Sequence, residues 1–193
     1  MSSHFYALLS RMRNIRRWGL MANSFEENIQ EHCMMTAVLA HGLALLRRDK
    51  FGGSADPEKV ALRALYHDVS EIFTGDMPTP VKYDNPAISR AYKEVEAVAL
   101  ERLLEKLPEE LRPSFEPVLL PDRWDRDTRE LVKAADKLAA YLKCVEELRA
   151  GNGEFRKAAE QTRAALERMD LPEVAYFLEE FAPSFALTLD EQD

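Results

Sequence analysis

The sequence predicts an all-α chain, a single-domain helical bundle, and three observations carry that prediction. Apolar residues recur at helical spacing along most of the 193 residues. No stretch alternates β-branched and aromatic residues at period two between hairpin turns. Helix-starting and helix-stopping residues punctuate the pattern at intervals of about one helix length. Composition is that of a folded chain, with 46% hydrophobic residues, 31% charged residues and only 7 glycines, so low-complexity disorder is excluded. The length suits one domain over residues 1–193, large enough to bury most of its unfolded apolar surface.

The elements follow in order. A first helix starts at Ser2/Ser3 and runs through Phe5, Leu8, Leu9 and Met12 into Ile15. Asn28 opens a second, because its side chain caps while Glu31 three residues on closes a capping box, and this helix continues to about Arg48. Gly52-Gly53-Ser54 breaks the chain, and Asp56-Pro57 then supplies a cap and an N1 proline for a helix reaching about His67. From Thr74 to Pro86 there are too many breakers for a helix, so a structured loop is expected. Asn85-Pro86 restarts a helix to about Lys106, and a proline-punctuated connection runs from Pro108 to Pro121. A long helix spans about Asp127 to Arg149 and is stopped by Gly151-Asn152-Gly153. Helices over about Glu154–Met169 and Pro172–Phe181 complete the chain.

Charge narrows the partners. With 26 basic and 34 acidic residues the net charge is −8, which repels a phosphate backbone and argues against nucleic acid as a large partner. A small anion remains compatible where a local cationic cluster overrides that field, and Arg11, Arg13, Arg16 and Arg17 supply one. Cys33 and Cys144 are far apart and lack CxxC spacing, so buried free thiols in a reducing cytoplasm are expected. No signal sequence or membrane span is expected.

Candidate chemistry lies on three helices. At 100° per residue Ile29, Met35, Thr36, Leu39 and Leu43 fall within about 60° of His32, which places that histidine in the core-facing stripe. His41 lies half a turn away and is expected at the surface. Asp136 is flanked by Val132, Ala139 and Ala140, where an ionised carboxylate costs several kcal/mol without a cationic partner. That partner is a metal ion or a core arginine. His67-Asp68 stands where the helix through Val60, Ala61, Ala64 and Leu65 ends, so both side chains can turn inward. Two histidines and two carboxylates suit Mn²⁺, Fe²⁺, Co²⁺ or Zn²⁺ rather than Ca²⁺. The competing reading is a helical interaction protein in which His32, His67 and Asp136 form a hydrogen-bond network.

The order His32, then Ala64-Leu65-Tyr66-His67-Asp68-Val69-Ser70-Glu71, then Ala135-Asp136-Lys137 resembles the H…HD…D signature of the HD superfamily. Arg17-Trp18, Glu31-His32, the loop Thr74-Gly75-Asp76-Met77-Pro78-Thr79-Pro80-Val81-Lys82 and Tyr141-Leu142-Lys143-Cys144 narrow the resemblance to the bacterial HD-domain 5′-deoxynucleotidases. It implies hydrolysis of deoxyribonucleoside 5′-monophosphates by a homodimer using one divalent transition metal, Co²⁺, Mn²⁺ or similar. It also implies that His32, His67, Asp68 and Asp136 are ligands, that Arg17 orients the phosphate, and that Trp18 packs on the sugar where a 2′-hydroxyl must fit. The implied substrate contacts are Arg17, Trp18, His32, Asp68, Asp76, Met77, Pro78, Thr79 and Asp136.

Elementary chemistry agrees with those roles. Phosphate-monoester hydrolysis needs charge neutralised on the phosphoryl group and a water made nucleophilic. Glu71, three residues after Asp68, is preferred over Asp76 as the base that takes a proton from that water, with Asp76 the alternative base or else the acid that protonates the leaving 5′-oxygen. The planar fork of Arg17 suits a phosphate, with Arg16 and Lys82 as weaker alternatives. A bulky indole against C2′ would exclude ribonucleotides, whereas nothing in the chain reads one base edge. An HD enzyme acting on a cyclic nucleotide, an alarmone or a triphosphate is the alternative. With only four histidines, a histidine-rich binuclear site is hard to build.

Overall fold

A computed structural model describes residues 2–78, 81 and 85–192. The elements are α1 (Phe5–Leu9), α2 (Ile29–Leu45), α3 (Pro57–Leu65), α4 (Glu71–Thr74), α5 (Pro86–Leu104), α6 (Arg112–Leu119), α7 (Arg126–Arg149), α8 (Arg156–Glu167) and α9 (Pro172–Glu180). Among the described residues β structure is limited to one antiparallel bridge, Arg16 with Asn28. The all-α expectation holds.

Local signals set most of the helix ends. The Asn28 amide donates to Glu31 Oε2 at 3.0 Å while the Glu31 amide donates to Asn28 Oδ1 at 3.1 Å, which is the expected capping box of α2. Asp56 accepts from the Lys59 amide at 3.1 Å ahead of α3, and Asn85 accepts from Ile88 at 2.9 Å ahead of α5. Gly151 stops α7 in the left-handed region at φ 85.

Three expectations change. The first helix is regular only over α1, tightens into a 3-10 turn over Ser10–Asn14, and gives way to extended backbone at Ile15. The 108–121 connection contains α6, because Pro113 sits where no intrahelical donor is needed and Pro117 forfeits one bond in a two-turn helix. Met35 is 41% exposed. The buried arc of α2 is rotated away from it toward Cys33, Ala40 and Ala44, so His32 lies inside the arc and Met35 outside.

The chain forms two compact units, Met1–Leu20 with Glu26–Cys33 and Tyr66–Asp125, and Met21–Phe25 with Met34–Leu65 and Arg126–Asp193. In the first, Phe5, Met12, Ile29, Cys33, Val69, Leu100, Leu103, Leu107 and Leu119 form the core. In the second, α7 packs against α8 and α3.

The second unit buries two ionic networks. Arg47 donates to Glu173 at 2.7 Å through Nε and again through Nη2, and to Glu130 at 2.9 Å. Lys143 donates to Glu147 one turn on and to the Phe25 carbonyl at 2.6 Å, with its ammonium 3.7 Å from the Phe25 ring centre. Glu147 also accepts from the Ser24 amide at 2.9 Å and from Asn152 at 2.9 Å. These bonds fasten residues 24 and 25 onto α7. No helix among the described residues is long and apolar enough to cross a membrane.

Candidate metal centre

His32 leaves the first turn of α2 and is fully buried, as the stripe requires. His67 and Asp68 occupy the turn after α3, held by backbone bonds from Val69 to Tyr66 at 3.2 Å and from Glu71 to Asp68 at 3.0 Å, and anchored by the buried side chain of Val69. Asp68 Oδ2 stands 3.0 Å from His67 Nε2 and 3.5 Å from His32 Nε2, and the imidazole centres are 5.2 Å apart. Two donors each about 2.1 Å from one ion are about 3.0–3.4 Å apart in octahedral or tetrahedral coordination. The 3.0 Å separation falls in that range and the 3.5 Å one lies just outside it, so this N/O donor set fits a divalent transition metal. One donor atom from each of the three lies within 4.8 Å of the others.

The far side of His67 is also engaged. Cys33 Sγ lies 3.7 Å from His67 Nδ1, which leaves Nε2 turned toward Asp68. Burial pushes the Cys33 thiol up in pKa, against a smaller opposing effect of His67. Both cysteines are buried and neither is in a disulfide, as expected.

Arg17 completes the arrangement. Its Nη1 is 3.7 Å from Asp68 Oδ2, while Nε donates to Glu27 Oε2 at 3.1 Å. Trp18 Nε1 donates to the same Glu27 oxygen, also at 3.1 Å. Trp18 holds φ at 59, a left-handed conformation that costs an ordinary side chain about 1–2 kcal/mol.

The family model of the YfbR-like 5′-deoxynucleotidases matches residues 4–185. The chain belongs to that family. The 5′-deoxynucleotidase of Vibrio cholerae serotype O1 is 52% identical over 98% of this chain and 97% of its own length. Among solved structures, an HD-domain phosphohydrolase from Listeria innocua has a TM-score of 0.82 at 25% identity, covering 96% of this chain and 90% of its own. The cyanophage S-2L HD phosphohydrolase DatZ, solved with dA and one catalytic Zn²⁺, shares the fold with a TM-score of 0.65 at 22% identity, covering 92% of this chain and 96% of its own.

The other expected family-site residues fall as follows. Asp136 is half-buried on α7 of the second unit, bordered there by buried Val132, Ala135 and Ala139. Glu71 opens α4 on the turn after Asp68 and is buried. Asp76, Met77 and Pro78 are half-buried in the segment after Gly75, whose positive φ of 71 ends α4. Tyr92 of α5 holds that segment through Gly75 O at 3.3 Å and Thr74 Oγ1 at 3.2 Å. Thr79 and Lys82 lie outside the described residues. Arg16 pairs with Glu26 at the surface, and His41 and His4 are exposed.

Sequence reasoning missed Glu27, Cys33 as a neighbour of His67, and Tyr92.

Proposed function

We propose that the chain hydrolyses deoxyribonucleoside 5′-monophosphates to deoxyribonucleoside and phosphate, using one divalent cation held by His32, His67, Asp68 and Asp136. The observation that carries this reading is the meeting of two imidazoles and the Arg17 guanidinium at the Asp68 carboxylate, in a chain of the 5′-deoxynucleotidase family. Each of the four proposed ligands offers one donor atom, two nitrogens and two oxygens in all. When bound, the cation supplies charge neutralisation at the phosphoryl oxygens and lowers the pKa of a water.

The chain's own residues divide the remaining work. Arg17 presents Nη donors beside Asp68 and orients the phosphate there. Glu71, on the turn after Asp68, takes a proton from the attacking water as the new P–O bond forms. As the old P–O bond breaks, Asp76 gives a proton to the departing 5′-oxygen. Trp18 packs on the deoxyribose and leaves no room for a 2′-hydroxyl. Met77 and Pro78 line the nucleotide beside Asp76, a role that the family resemblance also implies for Thr79, and His32, Asp68 and Asp136 also face the substrate phosphate. With Nε2 given to the cation, His67 carries its proton on Nδ1, where Cys33 Sγ accepts it. Co²⁺ or Mn²⁺ is the proposed resident ion, the cytoplasm the proposed compartment and a homodimer the proposed assembly. A single HD domain is proposed for residues 1–193, because the family match runs through both compact units.

The test is phosphate release from a panel of deoxy- and ribonucleoside 5′-monophosphates with Mn²⁺, Co²⁺ and Zn²⁺, run beside Glu71→Gln. Release from the deoxy substrates, and a loss of about 10²–10⁴-fold in the variant at unchanged metal content, are expected. No release with any cation, or a wild-type rate in Glu71→Gln, would overturn the reading.

A further inference from the structure

Backbone pairing, not sequence proximity, brings Glu27 to the substrate residues. The Arg17 amide donates to Glu27 O at 2.9 Å and the Ile29 amide to Ile15 O at 3.0 Å, so residues 15–17 run antiparallel to residues 27–29. In that register Arg17 and Glu27 stand directly opposite, within reach for their side chains to pair. The pair is well covered, with side-chain exposures of 12% and 15%. Arg16 and Glu26, one residue away on each segment, pair in the open at 71% and 62%.

The consequence for Arg17 is orientational. With Nε given to Glu27 at 3.1 Å, the Nη edge of the guanidinium is directed toward Asp68, which Nη1 approaches to 3.7 Å. For Trp18 the consequence concerns the ring. Its left-handed backbone at φ 59 turns the indole N–H back to Glu27 Oε2 at 3.1 Å, which sets the plane of the indole. One oxygen atom therefore holds both side chains.

Resting on the roles proposed above for Arg17 and Trp18, we propose that Glu27 is a positioning residue that couples phosphate recognition to discrimination against the 2′-hydroxyl. In this role it acts through Arg17 and Trp18. Its carboxylate fixes the Nη edge of one residue and the indole plane of the other, so disturbing it relaxes both together. A neutral amide at this position keeps an acceptor oxygen but loses the charge that strengthens both bonds.

The experiment compares wild type, Glu27→Ala, Glu27→Gln and Trp18→Ala, measuring kcat and KM for one deoxyribonucleoside 5′-monophosphate and its ribonucleoside counterpart. Inhibition by inorganic phosphate and bound divalent metal are measured on the same samples. In Glu27→Ala the deoxy KM and the phosphate inhibition constant should each rise by about tenfold, the scale of one charge-assisted bond. The deoxy-to-ribo ratio of kcat/KM should fall by a similar factor at unchanged metal content, and Glu27→Gln should lie between Glu27→Ala and wild type. A purely structural residue would lower kcat for both sugars alike and leave the ratio alone, and that result overturns the inference. If Glu27→Ala does not fold, Glu27→Gln carries the same comparison, and a wild-type KM and ratio there overturn it. Should Trp18→Ala collapse the ratio while the Glu27 variants keep it, Glu27 is not the positioning residue and the sugar role of Trp18 stands. An unchanged ratio in Trp18→Ala removes that sugar role and this inference with it.

Discussion

Replacing Glu147 by glutamine tests how the segment following Trp18 is held in place. Glu147 is fully buried beside Lys143, which is itself only 3% exposed. Burial alone pushes the Glu147 carboxyl up. The bonds from Lys143, the Ser24 amide and Asn152 outweigh burial and lower it from 4.5 to about 2. That lowering corresponds to about 3 kcal/mol of folding free energy at neutral pH.

The sign follows from the unfolded carboxyl binding protons more readily than the folded one. The contribution is therefore complete above about pH 4.5 and fades as pH falls toward about 2. Glutamine keeps one acceptor oxygen, but its NH₂ faces donors and the Lys143 ammonium is left without a counter-charge, so a loss of about 3–5 kcal/mol is expected at pH 7. Urea unfolding of both proteins at pH 7, 4 and 2.5 measures the gap. It should be near 3 kcal/mol or more at pH 7 and shrink to about 1 kcal/mol at the lowest pH, as the wild-type carboxyl takes up its proton. A gap that stays constant with pH, or one below about 1 kcal/mol at pH 7, would refute the charge-based account.

Two further outcomes are expected. Arg47→Met strands Glu173, which is 1% exposed, and should cost about 3–5 kcal/mol, lowering Tm by about 10 °C in a scanning calorimeter; a Tm within about 2 °C of wild type would mean that Glu173 finds another partner. Asn28→Ala removes one half of the capping box at the start of α2 and should cost about 1 kcal/mol in urea unfolding. Because His32 lies on that first turn, metal affinity measured by competition with a chelator should fall alongside; unchanged affinity would show that tertiary packing alone holds His32.

Much of the candidate site was legible because its signals are local. His32 sits in the apolar stripe of α2, His67-Asp68 follows the last turn of α3, and Glu71 opens the next helical turn; each position follows from helical period and chain ends. Met35 was misplaced because a stripe drawn around one residue assumes that the buried arc is centred on it. The real arc is displaced toward Cys33 and Ala44 by what packs there. The 108–121 connection was misjudged because prolines were counted as breakers without regard to whether their amides had bonds to lose.

From the sequence alone came the all-α class, the capped ends of α2, α3 and α5, the stop at Gly151, and the pairing of two histidines with acidic residues as metal-ligand chemistry. All of these arise from contacts within about one helical turn or from the donor types themselves. The tertiary structure decided that Glu27 faces Arg17 and Trp18, that Cys33 backs His67, and that Lys143 and Glu147 fasten the backbone of residues 24 and 25. The last two join positions 34 and 118–123 residues apart, and the first depends on a backbone register that no period reveals. Such contacts form only when the folded chain brings distant segments together, so residue type and spacing carry no record of them.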